Sequence, residues 1–325
     1  MATEPPSAAM QGDSLQGFGF ALAAYLLWGL LPVYMKAMAH ISPAEIIAHR
    51  VLWSVPIAGA VLIALGRTSD LVVAIRSPRM LGMAAVTATL VSINWGIYVW
   101  AIGAGHTLDA ALGYYINPLF SILVGAVLLR ERLSGAQWLA IALAAIAVVV
   151  LTYATGRLPL TSLCLTLSWG AYAFFKKMLP IGPNQGFMLE VLLISPFALG
   201  YIIWLAVQRE GHFLMGVTYD TAILLGCGLV TAVPLMLYAN GAKLLKLSTI
   251  AIMQYIAPTM VFLTAVFVFH EPFGTARMIA FPLIWLALLI YTGSMVMQAK
   301  RAARPNPGLP VPIDGQPGGV LRPTD

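Results

Sequence analysis

Three side chains that can carry charge, Glu45, His49 and Arg50, interrupt one apolar segment of the sequence. Residues four apart on an α-helix are neighbours, so Glu45 and His49 are expected to face each other. Histidine has an unperturbed pKa of about 6.5, closer to neutral pH than that of any other side chain. The spacing therefore predicts a proton-sensitive pair beside a fixed positive charge. The simpler alternative is hydrogen bonding of His49 at a helix end.

Arg50 lies about six residues inside this apolar segment, which begins near residue 44. A charge deep in a bilayer costs roughly 2.5–3.5 kcal/mol on insertion scales, and less near an interface. We consider two explanations for it. The side chain faces a cavity, where it attracts an anionic group such as a carboxylate or closes an outer gate, or it extends to the lipid headgroups.

Uncharged polar and aromatic residues lie in the middle of other apolar segments and are candidates for the walls of such a cavity. A site for amphipathic solutes combines aromatic walls with a few polar anchors. The alternative is hydrogen bonding between helices, which contributes only about 0.6 kcal/mol on average in membranes. These residues are Asn94, Trp95, Tyr98, Tyr115, Asn117, Gln254 and Tyr255.

The composition excludes an ordinary soluble domain. Of the 325 residues, 60% are hydrophobic and 9% are charged, against about 25% charged residues in soluble proteins. The 18 basic residues are dispersed in short loops rather than gathered in a patch, so we expect no nucleic-acid partner. Cys164 and Cys227 both lie in apolar runs, so we expect neither a disulfide nor a metal site, and no motif indicates a cofactor.

The apolar runs predict an all-α integral membrane protein, because each run has roughly the 17 to 25 residues that cross a bilayer as a helix. A cytoplasmic tail at residues 1–16 lacks the basic region of a signal peptide. The Pro- and Gly-rich residues 299–325 are expected to form a disordered cytoplasmic tail. The ten predicted transmembrane helices are 17–38, 44–65, 79–101, 108–129, 136–154, 158–178, 185–207, 219–240, 248–269 and 276–298.

The distribution of Lys and Arg predicts the orientation of these helices. With the N-terminus in the cytoplasm, thirteen basic residues fall on the inside, four fall on the outside, and Arg50 lies within a span. Cytoplasmic loops of membrane proteins carry the excess of positive charge. We therefore expect a multi-pass protein of the bacterial inner membrane with both termini in the cytoplasm.

Rare residue types recur at a nearly constant separation along the chain, which indicates an internal repeat. Five helices are an odd number, so a second half of five helices enters the membrane with the opposite sense. The sequence thus predicts two inverted five-helix repeats, residues 17–155 and 156–298, the arrangement that permits alternating access. The recurring pairs are Trp28 and Trp169, Pro56 and Pro196, Tyr98 and Tyr238, Tyr115 and Tyr255, Pro118 and Pro258, and Glu131 and Glu271.

The shift that carries Tyr98 onto Tyr238 also carries Arg50 onto Glu190, a second charge within an apolar segment. Inverted repeats would place the two charges near opposite sides of the membrane, on the order of 12 Å apart in depth at 1.5 Å per helical residue. We therefore expect Arg50 and Glu190 to belong to opposite gates rather than to one salt bridge. Pairing of each with nearby backbone or hydroxyl groups is the alternative.

Prolines inside the predicted spans remove backbone donors and favour kinks. Pro32, Pro118 and Pro258 are the hinge candidates, with fixed kinks that shape a cavity as the alternative. Glu131 and Glu271 fall at the ends of the fourth and ninth predicted helices, where capping and loop contacts explain them.

Several longer motifs resemble the RarD subfamily of the drug/metabolite transporter superfamily. This resemblance implies ten helices in EamA-type repeats, with a central cavity lined by the first four helices of each half and with the fifth and tenth helices to the side. It implies no particular substrate. The motifs are the run from Glu45 through His49 and Arg50 to Trp53, the segment Asn94-Trp95 with Tyr98, the run from Gly113 to Leu119, and Gln254-Tyr255-Ile256-Ala257-Pro258-Thr259 followed by Glu271.

We therefore expect a secondary transporter, with export as the expected direction, that moves small metabolites or drugs such as amino-acid-like compounds. The sequence has no P-loop, so energy would come from gradients, and proton coupling stays open. A lipid translocator is the main alternative. An interfacial membrane enzyme is the weaker one, because His106 and Asp109 alone do not make an active site.

Overall fold

The computed structural model describes residues 14–128, 133–215, 217–245 and 247–302, and the regular structure in these ranges is helical throughout. Glu131 and most of the two predicted tails lie outside the described residues. The helices are α1 (Leu15–Ala37), α2 (Pro43–Ala64), α3 (Thr68–Ile75), α4 (Pro78–Gly103), α5 (Thr107–Leu128), α6 (Gly135–Thr155), α7 (Leu160–Met178), α8 (Pro183–Gln208), α9 (Thr218–Lys243), α10 (Leu247–Met253), α11 (Ile256–Leu263), a π-helical turn (Thr264–Val268) and α12 (Thr275–Ala302).

Eight helices of the described chain are long and apolar enough to cross a membrane, namely α1, α2, α4, α5, α6, α8, α9 and α12. Large apolar side chains such as Val149, Phe197 and Leu289 are exposed on the outside of the bundle, as expected where a helix faces lipid. The prediction of an all-helical, multi-pass membrane protein is confirmed. Helix α7 has 19 residues but is not one of these eight helices, because several hydroxyl side chains and Lys176 lower its mean hydropathy.

Nine predicted spans each coincide with one continuous helix, whereas the predicted continuous helix at 248–269 is wrong. That segment consists of α10, a turn, α11 and the π-helical turn. The turn at Gln254 and Tyr255 lies one helical turn before Pro258, which has no N–H to donate to the carbonyl of Gln254. Pro258 therefore lies in the first turn of α11, where proline is tolerated.

The short helix α3 was not predicted and lies in the connection between α2 and α4. It has eight residues, too few to cross a membrane. Asp70 in its first turn accepts a hydrogen bond from Gln185 Nε2 at 3.1 Å. This bond ties α3 to the start of α8.

Each half of the chain packs mainly against the other half. Helix α1 packs along α9, α4 along α7, and α2 along both α8 and α9. Helices α6 and α12 pack against each other at one side, where Phe281 and Leu151 belong to a shared apolar core with α5 and α11. Because contacts between the halves are so extensive, the space between them is enclosed by helices of both.

Small and hydroxyl residues let helices approach closely, as is usual inside membranes. Between α5 and α7, Thr166 Oγ1 donates to the carbonyl of Gly113 at 2.9 Å and Ser162 Oγ donates to the carbonyl of Asp109 at 2.6 Å. Glu271, beyond the π-helical turn, accepts hydrogen bonds from the backbone N–H groups of Thr107 and Leu108. A carboxylate at this position stabilises the N-terminus of α5.

Candidate functional site

A cavity of about 650 Å³ lies between the two halves. Its volume falls in the range of about 300–1,000 Å³ that is common for small-molecule sites. Side chains from α1, α2, α4, α5, α7, α8, α9 and the α10–α11 segment line it, whereas α3, α6 and α12 contribute none. The polar and aromatic lining residues are Tyr25, Trp28, Arg50, Trp95, Tyr98, Tyr114, Asn117, Ser121, Trp169, Tyr172, Lys176, Asn184, Phe187, Thr231, Tyr238 and Gln254.

Two groups of touching aromatic rings form much of the wall. Tyr25, Trp28 and Tyr238 make one group, with ring centroids 5.5–5.9 Å apart. The second group runs from Tyr98 through Tyr114 and Trp169 to Tyr172, with successive centroids 5.8, 6.3 and 5.3 Å apart. Such walls suit a solute with an apolar or aromatic body.

Arg50 lies on the cavity wall and is only 3% exposed. Its Nε donates to Thr231 Oγ1 at 3.0 Å, and the guanidinium carbon lies 4.6 Å from the ring centroid of Trp95. The second contact has the geometry of a cation–π interaction. Among the described residues, Arg50 Nη1 has no hydrogen-bond partner. Its side chain lies inside the bundle rather than towards the headgroups.

Glu190 forms an ion pair with Lys176 rather than with Arg50. Lys176 Nζ lies 2.6 Å from Glu190 Oε1, and the Tyr172 hydroxyl donates to the other carboxylate oxygen at 3.4 Å. Lys176 reaches this pair from the cavity wall, whereas Glu190 is not a lining residue. The charge of Glu190 is therefore balanced within the second half.

Glu45 pairs with His212 rather than with His49. Its carboxylate accepts the backbone N–H of His212 at 2.7 Å and contacts His212 Nδ1 at 2.9 Å. Nearby, His40 Nε2 lies 3.0 Å from Asp220, and the rings of His40 and His212 are in edge contact at 5.7 Å. We call the region of these four residues, where α1 ends and α9 begins, the closed end.

His49 and Trp53 form a separate contact beside the closed end. The indole Nε1 of Trp53 donates to His49 Nδ1 at 2.9 Å, and both rings pack against Phe213. Glu45 and His49 thus make their hydrogen bonds to different residues, His212 and Trp53, although Glu45 still acts on His49 electrostatically. Neither His49 nor Trp53 lines the cavity.

The neutral candidates divide between the cavity and the helix contacts. Asn94 donates to the carbonyl of Leu165 and to Ser168 Oγ, and it accepts from the Tyr114 hydroxyl, so it joins α4 to α7 and α5 behind the wall. Asn117 lines the cavity, and its Oδ1 has no partner among the residues with described structure. Tyr98 and Gln254 also line the cavity.

Tyr115 and Tyr255 lie away from the cavity, against the side formed by α5, α11 and α12. The hydroxyl of Tyr115 lies 2.7 Å from Thr259 Oγ1. Of the three hinge candidates, Pro118 and Pro258 line the cavity, whereas Pro32 is buried in α1 outside it.

Many lining residues fall in pairs at the two separations at which residue types recur in the sequence. At the shift that carries Tyr98 onto Tyr238, both members of seven pairs are lining residues, and the shift that carries Trp28 onto Trp169 adds two pairs that share no residue with those seven. The first seven pairs are Val91 and Thr231, Trp95 and Leu235, Tyr98 and Tyr238, Tyr114 and Gln254, Asn117 and Ala257, Pro118 and Pro258, and Ser121 and Val261, and the other two are Trp28 and Trp169, and Leu31 and Tyr172.

Comparison with known proteins gives this architecture a family. Residues 15–153 match the EamA-like transporter family. An uncharacterised transporter of Vibrio cholerae is 42% identical over 90% of this chain and 98% of its own length. Protein RarD of Streptomyces exfoliatus is 39% identical over 90% of this chain and 93% of its own. The chain belongs to the RarD-type EamA-like transporters.

Other comparisons agree with this membership. Protein RarD of Escherichia coli is 35% identical to this RarD-type chain, over 89% of it and 98% of the relative. A crystal structure aligns over 86% of this chain and 98% of its own with a TM-score of 0.56, and its 20% identity shows a shared fold alone. This RarD-type protein is therefore a membrane transporter of the drug/metabolite superfamily.

Sequence reasoning did not select several residues that form the site of this RarD-type transporter. Lys176 and His212 contact the buried carboxylates of Glu190 and Glu45, and both lie in loops or at helix ends of the predicted topology. Trp28, Trp169 and Tyr238 were noticed only as repeat markers, yet all three line the cavity. Recurrence of aromatic types between the two halves was thus the available signal for the cavity wall.

Proposed function

We propose that this protein is a secondary transporter that carries a small amphipathic metabolite or drug through the cavity by alternating access. The observation that carries the proposal is the cavity wall, which consists largely of corresponding positions from the two halves. In an inverted repeat, exchange of the two halves' conformations closes the open side of such a cavity and opens the other.

In this proposal the chain crosses the membrane ten times, with α7 and the broken α10–α11 segment as the two crossings beyond the eight apolar helices. The packing supports two related halves. Exchanging the halves turns the α1–α9 contact into the α7–α4 contact, and the α5–α7 contact into the α11–α1 contact. All four of these helix–helix contacts are present in the structure.

The topology has a direct test in a chain whose Cys164 and Cys227 are replaced by serine. His106→Cys and Pro180→Cys place single thiols in the connections after α4 and α7. A membrane-impermeant maleimide should label them from opposite sides of the membrane, with His106→Cys on the periplasmic side. Labelling of both from one side would contradict the inverted repeat.

The contacts between α1 and α9 support a conformation in which the cavity is shut off from solvent at the closed end. There the hydroxyl of Tyr34 donates to the carbonyl of Ile223, and Cys227 Sγ lies 3.8 Å from Met38 Sδ, so α1 and α9 are in tight contact. Towards the other end the cavity reaches Lys176 and Asn184, near the end of α7 and the start of α8. In the predicted orientation, this second end faces the cytoplasm.

In this proposal, the Glu45–His212 pair is the site of proton coupling. The ionisable groups around this pair are His40, Asp220 and His49, which lie on the segments packed against it. Loss of the negative charge of Glu45 would weaken the contact that holds α2 to the connection before α9. An imposed pH gradient should alter uptake by the wild type but not by Glu45→Gln. Equal pH responses in both would exclude this assignment.

Counterflow in proteoliposomes tests the function itself. Vesicles that hold the full chain are preloaded with unlabelled amino acids or aromatic drugs and are then given the labelled compounds outside, with protein-free vesicles as control. Saturable counterflow of a solute is expected, and everted membrane vesicles then show whether the direction is export. Movement of fluorescent lipids without counterflow of any solute would identify a lipid translocator instead.

A further inference from the structure

The charge of Arg50 has no acidic partner in the part of the chain that the structure describes. The two carboxylates buried in α2 and α8 are taken, since Glu45 is paired with His212 and Glu190 with Lys176. Arg50 itself is held by a hydroxyl and an indole, neither of which carries a negative charge. An isolated charge in a buried site is costly unless it is paired and hydrogen-bonded.

Arg50 is a lining residue of the cavity, and one nitrogen of its buried guanidinium is unpaired. Arg50 lines the cavity and is 3% exposed, and its Nη1 lacks a hydrogen-bond partner among the described residues. Nε and one ring face are occupied by Thr231 and Trp95, which fixes the orientation of the group. What remains is a positioned donor in an aromatic cavity.

We propose that Arg50 binds the carboxylate of the transported solute, which is a monocarboxylate with an aromatic or apolar body. A planar guanidinium matches the geometry of a carboxylate, and the charge-assisted bonds are about twice as strong as neutral ones. Arg50 offers one positive charge, because Lys176 is already neutralised, so a monoanion is matched better than a phosphate dianion. Trp95 and Tyr98 supply adjacent wall for the apolar body.

This inference rests on the proposed function, since it takes the cavity to be the transport site. The test is equilibrium binding of labelled 3-phenylpropionate and indole-3-propionate to the purified full chain in detergent. Unlabelled 3-phenylpropanamide, inorganic phosphate and a short-chain phosphatidylglycerol serve as competitors. The acid should bind about 10- to 100-fold more tightly than its amide, the range for a hydrogen bond to a charged group.

Variants assign the effect to one side chain. Arg50→Gln should weaken binding of the acid by about 10- to 100-fold while leaving the amide unchanged. The affinity of Arg50→Lys for the acid should lie between those of the wild type and Arg50→Gln, because an ammonium keeps the charge but not the planar donor pair. Arg157→Gln, which removes an exposed arginine away from the cavity, is the matched control and should bind like the wild type.

Equal affinity for acid and amide would overturn the proposal, as would undiminished binding in Arg50→Gln or no binding of either acid. Stronger competition by phosphate or by phosphatidylglycerol than by the acid would assign the guanidinium to a phosphate group and would also overturn it. Arg50-dependent binding without counterflow would refute transport but not this site. Counterflow of neutral solutes that is unaffected in Arg50→Gln would refute this site but not transport.

Discussion

Arg50 in the first half and Glu190 in the second are separated by the same 140 residues as Tyr98 and Tyr238, and both are almost fully buried. Glu190 is bound by Lys176 and Tyr172 of its own half. Arg50 is bound by Thr231 of the other half and by the face of Trp95. Of these two buried charges, one is neutralised within the protein and the other is left for a partner from outside.

The spacing of charges explains this difference. Lys176 precedes Glu190 by the same separation in sequence as that by which Lys36 precedes Arg50. In the second half the two charges are opposite and form a 2.6 Å pair. In the first half they are alike, so Lys36 donates to the carbonyl of Ile102 at 3.3 Å instead. A change of sign at one position thus converts an internal ion pair into an unpaired cation.

Breaking the internal pair should give the largest effect on stability. Glu190→Gln leaves Lys176 without its acid, and loss of one partner of a buried pair costs about 3–5 kcal/mol. Because Lys176 is 20% exposed, we expect a smaller loss of about 2–3 kcal/mol in unfolding by SDS titration. The control is Lys176→Met with Glu190→Gln, which removes both charges and should recover most of the loss. A single variant as stable as the wild type would contradict the pairing.

A substitution that forces α2 and α9 apart should disturb the Arg50–Thr231 bond between them. A Cβ at Gly228 would overlap the carbonyl of Trp53, one turn from the Arg50–Thr231 bond. Gly228→Ala should therefore cost about 1–3 kcal/mol, the usual range for overpacking, and should also weaken binding of 3-phenylpropionate. Gly19→Ala is the matched control, because a Cβ there meets no atom within 4 Å. Equal stability of the two variants would contradict the close approach.

The closed end can be probed through Cys227, which is 0% exposed and touches Met38. In a Cys164→Ser background, His212→Gln should increase labelling of Cys227 by a soluble maleimide by about tenfold or more, because a hydrogen bond to a charged group stabilises the shut state by about 1.5 kcal/mol or more. His106→Gln, which disrupts a histidine–carboxylate contact elsewhere, should leave the rate unchanged. Unchanged labelling in His212→Gln would show that Glu45–His212 does not hold this end shut.

Removing the unpaired charge should give the smallest effect on stability. Arg50→Met leaves no carboxylate stranded, so without ligand its stability should equal that of the wild type within about 1 kcal/mol or exceed it. SDS titration beside Glu190→Gln makes the comparison direct. A loss as large as that of Glu190→Gln would mean that Arg50 is a structural charge.

Much of the fold could be predicted because hydropathy and helix length are local properties. The turn before Pro258 and the helix Thr68–Ile75 were not predicted. The first lies in a run that stays apolar throughout, and the second is too short to stand out from a loop. Pro258 predicted a kink in the first, but no local pattern predicted that the helix ends there or that the second forms.

The site could be predicted only where a signal was local or repeated. The position of Arg50 inside an apolar run was visible, and recurrence of Tyr98 as Tyr238 marked the cavity wall. The partner of Glu45 was not visible, since His212 lies 167 residues away whereas His49 lies one turn away. Helical spacing favours the near residue, and only packing of the two halves brings the distant one into contact.

We propose that Arg50 is unpaired in the protein so that it can bind a carboxylate of the solute. Ligand-induced stabilisation tests this proposal most directly. The measurement is thermal unfolding of the wild type and Arg50→Met, each with and without 3-phenylpropionate. A ligand at 100 times its Kd stabilises a folded protein by about 2.7 kcal/mol, so the wild type should melt at a clearly higher temperature with the acid. Arg50→Met, which should bind the acid about 10- to 100-fold more weakly, should gain at most about half of this stabilisation. The same rise in both proteins would contradict the account.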